Sequence, residues 1–189
     1  MEFTAYAKLN LTLEVLGRRV DGYHQVRTVL QTIDLADRLI IEPAARLTVV
    51  CDEPSLEGES NLVWDAANAL AVRESVSAGA RIFIAKNIPI SMGLGGGSSD
   101  AAAALIGLNQ LWDLALGIED LRQVASDLGS DVAFFLSGGT ALAEGRGEVI
   151  SPLPAMPELP VLLICPNISI NSPSWCFPLH AESKILLFV

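Results

Sequence analysis

The sequence predicts an α+β fold, and three observations carry that prediction. Residues 3–15 alternate apolar and polar without a break, the period of a strand with one buried face. Residues 61–73 and 101–115 instead repeat apolar side chains every three or four positions, as helices packed on one side do. Strand-like and helix-like segments mix without regular strand–helix–strand alternation, which sets the chain apart from a doubly wound α/β protein.

The elements follow in order. In the first strand Phe3, Ala5, Ala7, Leu9, Leu11, Leu13 and Val15 point one way, and Thr4, Tyr6, Lys8, Asn10, Thr12 and Glu14 the other. Lys8 and Asn10 therefore project side by side. Asp21-Gly22 supplies a turn. Segments 25–33, 38–42, 46–51 and 80–85 read as separate strands from their Val, Ile and Thr content. Ser60 is the expected N-cap of a helix over 61–73 with Leu62, Val63, Ala66, Ala67, Leu70 and Ala71 on its apolar face. The helix after residue 100 carries Ala101, Ala104, Leu105, Leu108, Leu111, Trp112 and Ala115, and Gly117 is expected to close it. A third helix spans about 119–128 and stops at Gly129. Strands are expected near 139–144, 147–151 and 161–165. Trp64, Trp112, Phe134 and Phe135 read as core.

Composition narrows the functional classes. Apolar residues make up 51% of 189, enough for one domain with a real core. No apolar run is long enough to span a membrane, and the N-terminus has no secretory pattern. Cys51, Cys165 and Cys176 lack metal-ligand spacing, so reduced thiols and a cytoplasmic location are expected. The net charge of −10 disfavours nucleic acid and anionic membrane as partners. A phosphate ligand would have to be held locally, by backbone dipoles, a few lysines and a divalent cation. Oligomeric state is not legible.

The strongest local signal is Pro89-Ile-Ser-Met-Gly-Leu-Gly-Gly-Gly-Ser-Ser-Asp100, which runs into Ala101-Ala-Ala-Ala-Leu105. Glycines let the backbone approach an anion, and the following helix adds free N–H groups. A Walker A loop would need a lysine before the serines, and none is present. A dinucleotide fingerprint would need glycine where Ser98 stands.

The pattern Pro-x-x-x-Gly-Leu-Gly-Gly-Gly-Ser-Ser-Asp-Ala-Ala resembles the phosphate loop of the GHMP kinases. Ala7-Lys8-Leu9-Asn10-Leu11, Asp21-Gly22-Tyr23-His24, Asn61-Leu62-Val63 and Gly129-Ser130-Asp131-Val132-Ala133-Phe134-Phe135 occur in the order expected of a member that acts on a cytidine diphosphate alcohol. The resemblance covers residues 3 to about 170. It implies the ribosomal protein S5 domain 2-like fold of the GHMP N-terminal domain over 1–152. It also implies ATP-dependent phosphorylation of the 2-hydroxyl of a cytidine diphosphate-linked methylerythritol, in non-mevalonate isoprenoid precursor biosynthesis, with Mg²⁺ carried on the phosphates and no dedicated metal site.

The same resemblance assigns roles. Asp131 is the general base and Lys8 its support. From spacing alone, Asp131 would equally cap a short helix and Lys8 would be a solvated strand lysine. Pro89, Gly93, Leu94, Gly95, Gly96, Gly97, Ser98 and Ser99 hold the ATP phosphates, and either serine could reach a magnesium-bound oxygen. Asn61 and Lys86 flank adenine. Asn10, Tyr23 and His24 meet the substrate, the last two at its cytosine, where an aromatic face and a hydrogen-bonding edge suit a pyrimidine.

Pro152, Pro154, Pro157 and Pro160 mark an expected domain boundary. Residues 153–189 are expected to be the incomplete start of a second, ferredoxin-like GHMP domain. Residues 166–172 resemble its opening and Trp175 is a candidate cytidine contact. The stretch from 176 resembles nothing in the family, as a shifted reading frame or an early stop would give. Two other readings stay open: a catalytically inactive nucleotide-binding domain, or a GHMP kinase for a different small alcohol.

Overall fold

The computed structural model describes residues 1–165. Six strands form one mixed sheet: β1 (Glu2–Arg18), β2 (His24–Ala44), β3 (Thr48–Cys51), β4 (Gly79–Ala85), β5 (Thr140–Gly145) and β6 (Val149–Pro152). The helices are α1 (Leu62–Arg73), α2 (Gly96–Leu111), α3 (Ile118–Leu128) and α4 (Ser130–Phe135). Two single 3₁₀ turns, Pro54–Leu56 and Gly58–Ser60, lead into α1.

The two strands expected at 25–33 and 38–42 are one strand of 21 residues. β2 is the spine of the sheet. It pairs antiparallel with β1 along one edge. Its other edge is divided: 26–31 pair with β5 and 38–44 pair with β4. β3 lies parallel to β4, and β6 antiparallel to β5. Asp34 and Asp37 make the middle of β2 look like a break in the sequence. Asp34 is exposed and Asp37 is buried, and the residues that satisfy Asp37 are described with the site below.

β1 is longer than expected, and its alternation is interrupted. Register shifts fall at Tyr6/Lys8, Asn10/Thr12 and Val15/Gly17. Each bulge re-aims the side chains beyond it. Ala5 and Ala7 are buried as expected, but so is Lys8, and residues 9–15 are only half-buried.

The core lies between the helices and one face of the sheet. Leu39 and Ile41 of β2 and Ile82 and Ile84 of β4 meet Val63, Ala67 and Leu70 of α1 and Ala101, Leu105 and Leu108 of α2. The helix sits close: a Cβ on Gly107 would lie 2.4 Å from Ile41 Cδ1 and 2.7 Å from Phe3. Phe134 is fully buried, with Phe135, Trp64 and Trp112 packed at the edge of the core.

Three helix boundaries differ from expectation. Ser60 belongs to a 3₁₀ turn, and Asn61 is the N-cap of α1: its backbone is extended and its side chain accepts from Val63 N. α2 begins inside the glycine loop, at Gly96, and ends at Leu111. Asp113 and Ala115 then take left-handed conformations. Gly117 thus does not close α2 but precedes α3, where its N–H donates to Asp120 Oδ2 at 3.2 Å.

The strand expected at 161–165 is not formed. A strand needs a neighbour for its N–H and C=O groups, and no described strand pairs with this segment. After β6 the chain runs irregularly to residue 165, with Leu159, Val161, Leu162 and Ile164 exposed and Leu163 against Ala7, Ile88 and Leu94. β6, the last described strand, ends at Pro152. The expectations for 166–189, including Trp175, lie outside the described residues.

Candidate active site

The glycine loop leaves β4 and enters α2 through Gly95, whose φ of 73° is left-handed. A Cβ there would lie 2.7 Å from the Phe135 ring and 3.1 Å from Lys8 Cγ. Only glycine satisfies both demands. The N–H groups of Gly96, Gly97 and Ser98 open α2 and have no acceptor one turn back. Gly96, Gly97 and Ser98 line a cavity of about 290 Å³, together with Leu56, Asn61, Leu62, Lys86, Ile88, Asp100 and the loop from Pro89 to Gly95. That is near the small end of ligand pockets.

On its other side the loop touches β1. Lys8 N donates to Leu94 O at 2.9 Å. The Lys8 side chain is buried and ends 3.4 Å from Asp131 Oδ2, in the first turn of α4. Lys8 Nζ also donates to Asn10 Oδ1 at 2.6 Å. Asn10 Nδ2 donates in turn to Thr28 Oγ1 at 2.8 Å, and the Thr28 hydroxyl donates to Thr12 O. The chain Thr12–Thr28–Asn10–Lys8–Asp131 fixes the ammonium from one side and offers it a carboxylate on the other. Asp131 is partly open to solvent, at 38% of its side-chain surface.

Other expected residues fall differently. Asn61 lines the cavity, but its amide is engaged by its own chain: Oδ1 caps Val63, and Nδ2 donates to Leu56 O at 2.6 Å. The Ser99 hydroxyl is buried and donates to Tyr6 O at 2.7 Å, so it staples α2 to β1 and does not face the phosphate position. Ser98 is the half-exposed hydroxyl of the pair. Among the described residues, no group of three or more His, Cys, Asp and Glu side chains is placed to hold a metal.

Lys86 lines the cavity, but its ammonium is engaged by two buried carboxylates. It donates to Asp37 Oδ2 and, at 2.8 Å, to Asp100 Oδ2. Asp37 and Asp100 are 1% and 2% exposed. Burial of Lys86 alone would lower its pKa, but the Asp100 and Asp37 carboxylates outweigh it and raise the value. Burial pushes Asp100 up to about 7; the Lys86 charge opposes this and the Asp37 carboxylate reinforces it. Sequence reasoning missed Asp37 and Thr28. Asp37 shares strand parity with the core residues Leu39 and Ile41, and a charge on that face was the available signal. Thr28 carried none.

Tyr23 and His24 sit at the far end of the hairpin. His24 pairs with Arg18, whereas Lys8 pairs with Thr32, roughly 25 Å away along β2. The turn is held by Arg19 N to Tyr23 O at 2.8 Å and by Tyr23 N to Asp21 Oδ1 at 3.2 Å. Tyr23 is exposed, with the Arg146 guanidinium 4.9 Å from its ring centre. Lys8, Asn10, Asp131 and the glycine loop thus come together, and the Tyr23–His24 pair stands further along the same hairpin.

A left-handed glycine loop opening a helix, with a lysine–aspartate pair on its other side, defines the class. The fold is that of the GHMP kinase N-terminal domain: residues 61–139 match the family described as "GHMP kinases N terminal domain". In sequence the chain is similar to the 4-diphosphocytidyl-2-C-methyl-D-erythritol kinases. It is 50% identical to the one from Listeria monocytogenes serotype 4a over 186 residues, covering 97% of this chain and 64% of that protein. Against the one from Caldanaerobacter subterraneus subsp. tengcongensis it is 45% identical over 173 residues, 91% and 60% of the two chains. A crystal structure of 4-(cytidine 5'-diphospho)-2C-methyl-D-erythritol kinase superposes with a TM-score of 0.70 at 42% identity, covering 81% of this chain and 55% of that one. A mevalonate kinase at 14% identity and TM-score 0.63 shares the fold. The chain spans 64% or less of the length of these relatives.

Proposed function

We propose that the chain supplies the ATP-binding half and the Lys8–Asp131 pair of a kinase acting on the 2-hydroxyl of 4-diphosphocytidyl-2-C-methyl-D-erythritol. The observation that carries this reading is the placement of Lys8 between Leu94 of the glycine loop and Asp131. It puts a cation and a proton acceptor beside the place where a γ-phosphate would lie.

In this reading the cavity takes the nucleoside, and the first N–H groups of α2 take the phosphates. Asp131 accepts the proton of the attacking hydroxyl and holds that oxygen in line with the phosphoryl group. Lys8, oriented by Asn10 and Thr28, pairs with Asp131 and offsets negative charge as it builds on the transferring oxygens. Ser98, the half-exposed hydroxyl of the loop, would be the side chain to meet Mg²⁺ carried on the nucleotide, which would neutralise the phosphates. Tyr23 and His24 take the cytosine end. The reaction belongs among cytoplasmic small molecules. No helix among the described residues is long and apolar enough to cross a membrane.

ADP release by this chain, with the cytidine substrate and ATP, tests the reading. Asp131→Asn should lower turnover by about 10²–10⁴-fold while ATP still binds. Wild-type turnover in that variant would show that Asp131 is not the base. The open side of Asp131 favours one alternative, a nucleotide-binding domain without turnover, because water then reaches the phosphoryl group. ATP binding with no ADP release in the wild-type chain would select it.

A further inference from the structure

The Lys86 ammonium meets residues of β2 and α2, and the two carboxylates it donates to are both buried. Asp37 stands on β2 where β4 leaves the sheet. The last ladder pair is Arg38 with Ala85. Beyond it, the N–H groups of Asn87 and Ile88 have no strand to pair with, and both donate to Asp37 Oδ1, Ile88 at 2.8 Å. Ile88 immediately precedes Pro89, which opens the glycine loop. Asp100 stands in α2, one turn after that loop ends. Lys86 bridges the two carboxylates. Its ammonium also packs beneath the loop: a Cβ on Gly96 would lie 3.2 Å from Lys86 Nζ. The entrance to the loop and its exit are therefore both tied to a single cation.

We propose that the Asp37–Lys86–Asp100 triad positions the phosphate loop, so that Lys86 serves the nucleotide's phosphates through the loop and not its base by direct contact. The proposal rests on the reading of the cavity as a nucleotide site. It reassigns Lys86 from adenine wall to positioning residue, and adds Asp37 and Asp100 beside it. Two carboxylates that share one ammonium hold a fixed separation. Removing the ammonium leaves like charges facing each other beneath the loop, and the loop's N–H groups lose their common aim.

Calorimetric titration with ATP and, separately, with adenosine distinguishes this role from others. In Lys86→Met, ATP affinity should fall by about tenfold or more, with adenosine affinity within about twofold of wild type. Asp100→Asn keeps an oxygen for Lys86 to donate to and should retain ATP affinity within about threefold. Asp100→Ala does not, and should reproduce the Lys86→Met pattern. It leaves the Asp37–Lys86 pair intact, so it decides the matter if Lys86→Met does not fold. Equal losses for ATP and adenosine would overturn the proposal, as would no loss for either. If the wild-type chain binds neither ligand, the nucleotide reading itself fails and the proposal falls with it.

Discussion

The backbone N–H of Lys8 donates to the carbonyl of Leu94 at 2.9 Å. This bond joins the strand that carries the cation to the loop that would carry the phosphates. Neither can shift without the other.

Gly95 is the residue that this junction tolerates least in altered form. Its φ is 73°, and a methyl group there would meet the Phe135 ring at 2.7 Å. Gly95→Ala should destabilise the fold by about 1–3 kcal/mol and weaken ATP binding. Urea denaturation and nucleotide titration of the same preparation give both values.

Asn10 should act through Lys8. Its Oδ1 accepts from the ammonium at 2.6 Å. Asn10→Leu leaves Lys8 with Asp131 alone, and turnover should fall by about tenfold or more with a smaller change in the KM for ATP. Thr28→Val, one bond further out, should give a weaker effect in the same direction. Steady-state kinetics of the pair tests the order.

Asp100 sets a pH dependence of stability. Its folded value is pushed from 3.8 up to about 7, so between those limits the folded chain keeps a proton that the unfolded chain releases. Stability carried by this group is therefore full below about 4 and falls as pH rises towards 7, after which it is constant. Lys86 and Asp37 face Asp100 directly, and Cys51 lies near it. Asp100→Asn should remove the descent, so the variant gains on wild type from pH 4 to 7. Urea midpoints measured across that range check the slope; a constant difference would refute it.

Tyr23 should matter for the alcohol substrate and not for ATP. It is exposed and faces Arg146. Tyr23→Ala should raise the KM for the cytidine substrate by about tenfold, and Tyr23→Phe should be mild. A matched rise in the KM for ATP would remove the pair from the cytosine role.

Much of this site is local in the chain and so was legible. The glycine loop occupies consecutive positions, and the parity of Lys8 and Asn10 places them together on any strand. The Lys8–Asp131 contact is not legible from pattern, because only the fold joins residues so far apart; the family resemblance supplied it. Asp37 was hidden for a different reason. Asp34 and Asp37 look alike in the sequence, and both fall in the gap between two segments read as separate strands that form one continuous strand. The difference between them is made by Lys86 and two N–H groups arriving from β4. Ser60 was likewise the expected cap, but the 3₁₀ turn takes the serine and Asn61 caps α1 instead.

The irregular segment after β6 has a colloidal consequence. Leu159, Leu162 and Ile164 are 62%, 82% and 82% exposed on a chain of net charge −10. Charge repulsion keeps copies apart over about 10 Å at 0.1 M salt and over about 3 Å at 1 M. Apolar attraction between such segments is not screened. Self-association should therefore rise with ionic strength, and light scattering across a salt series should show it.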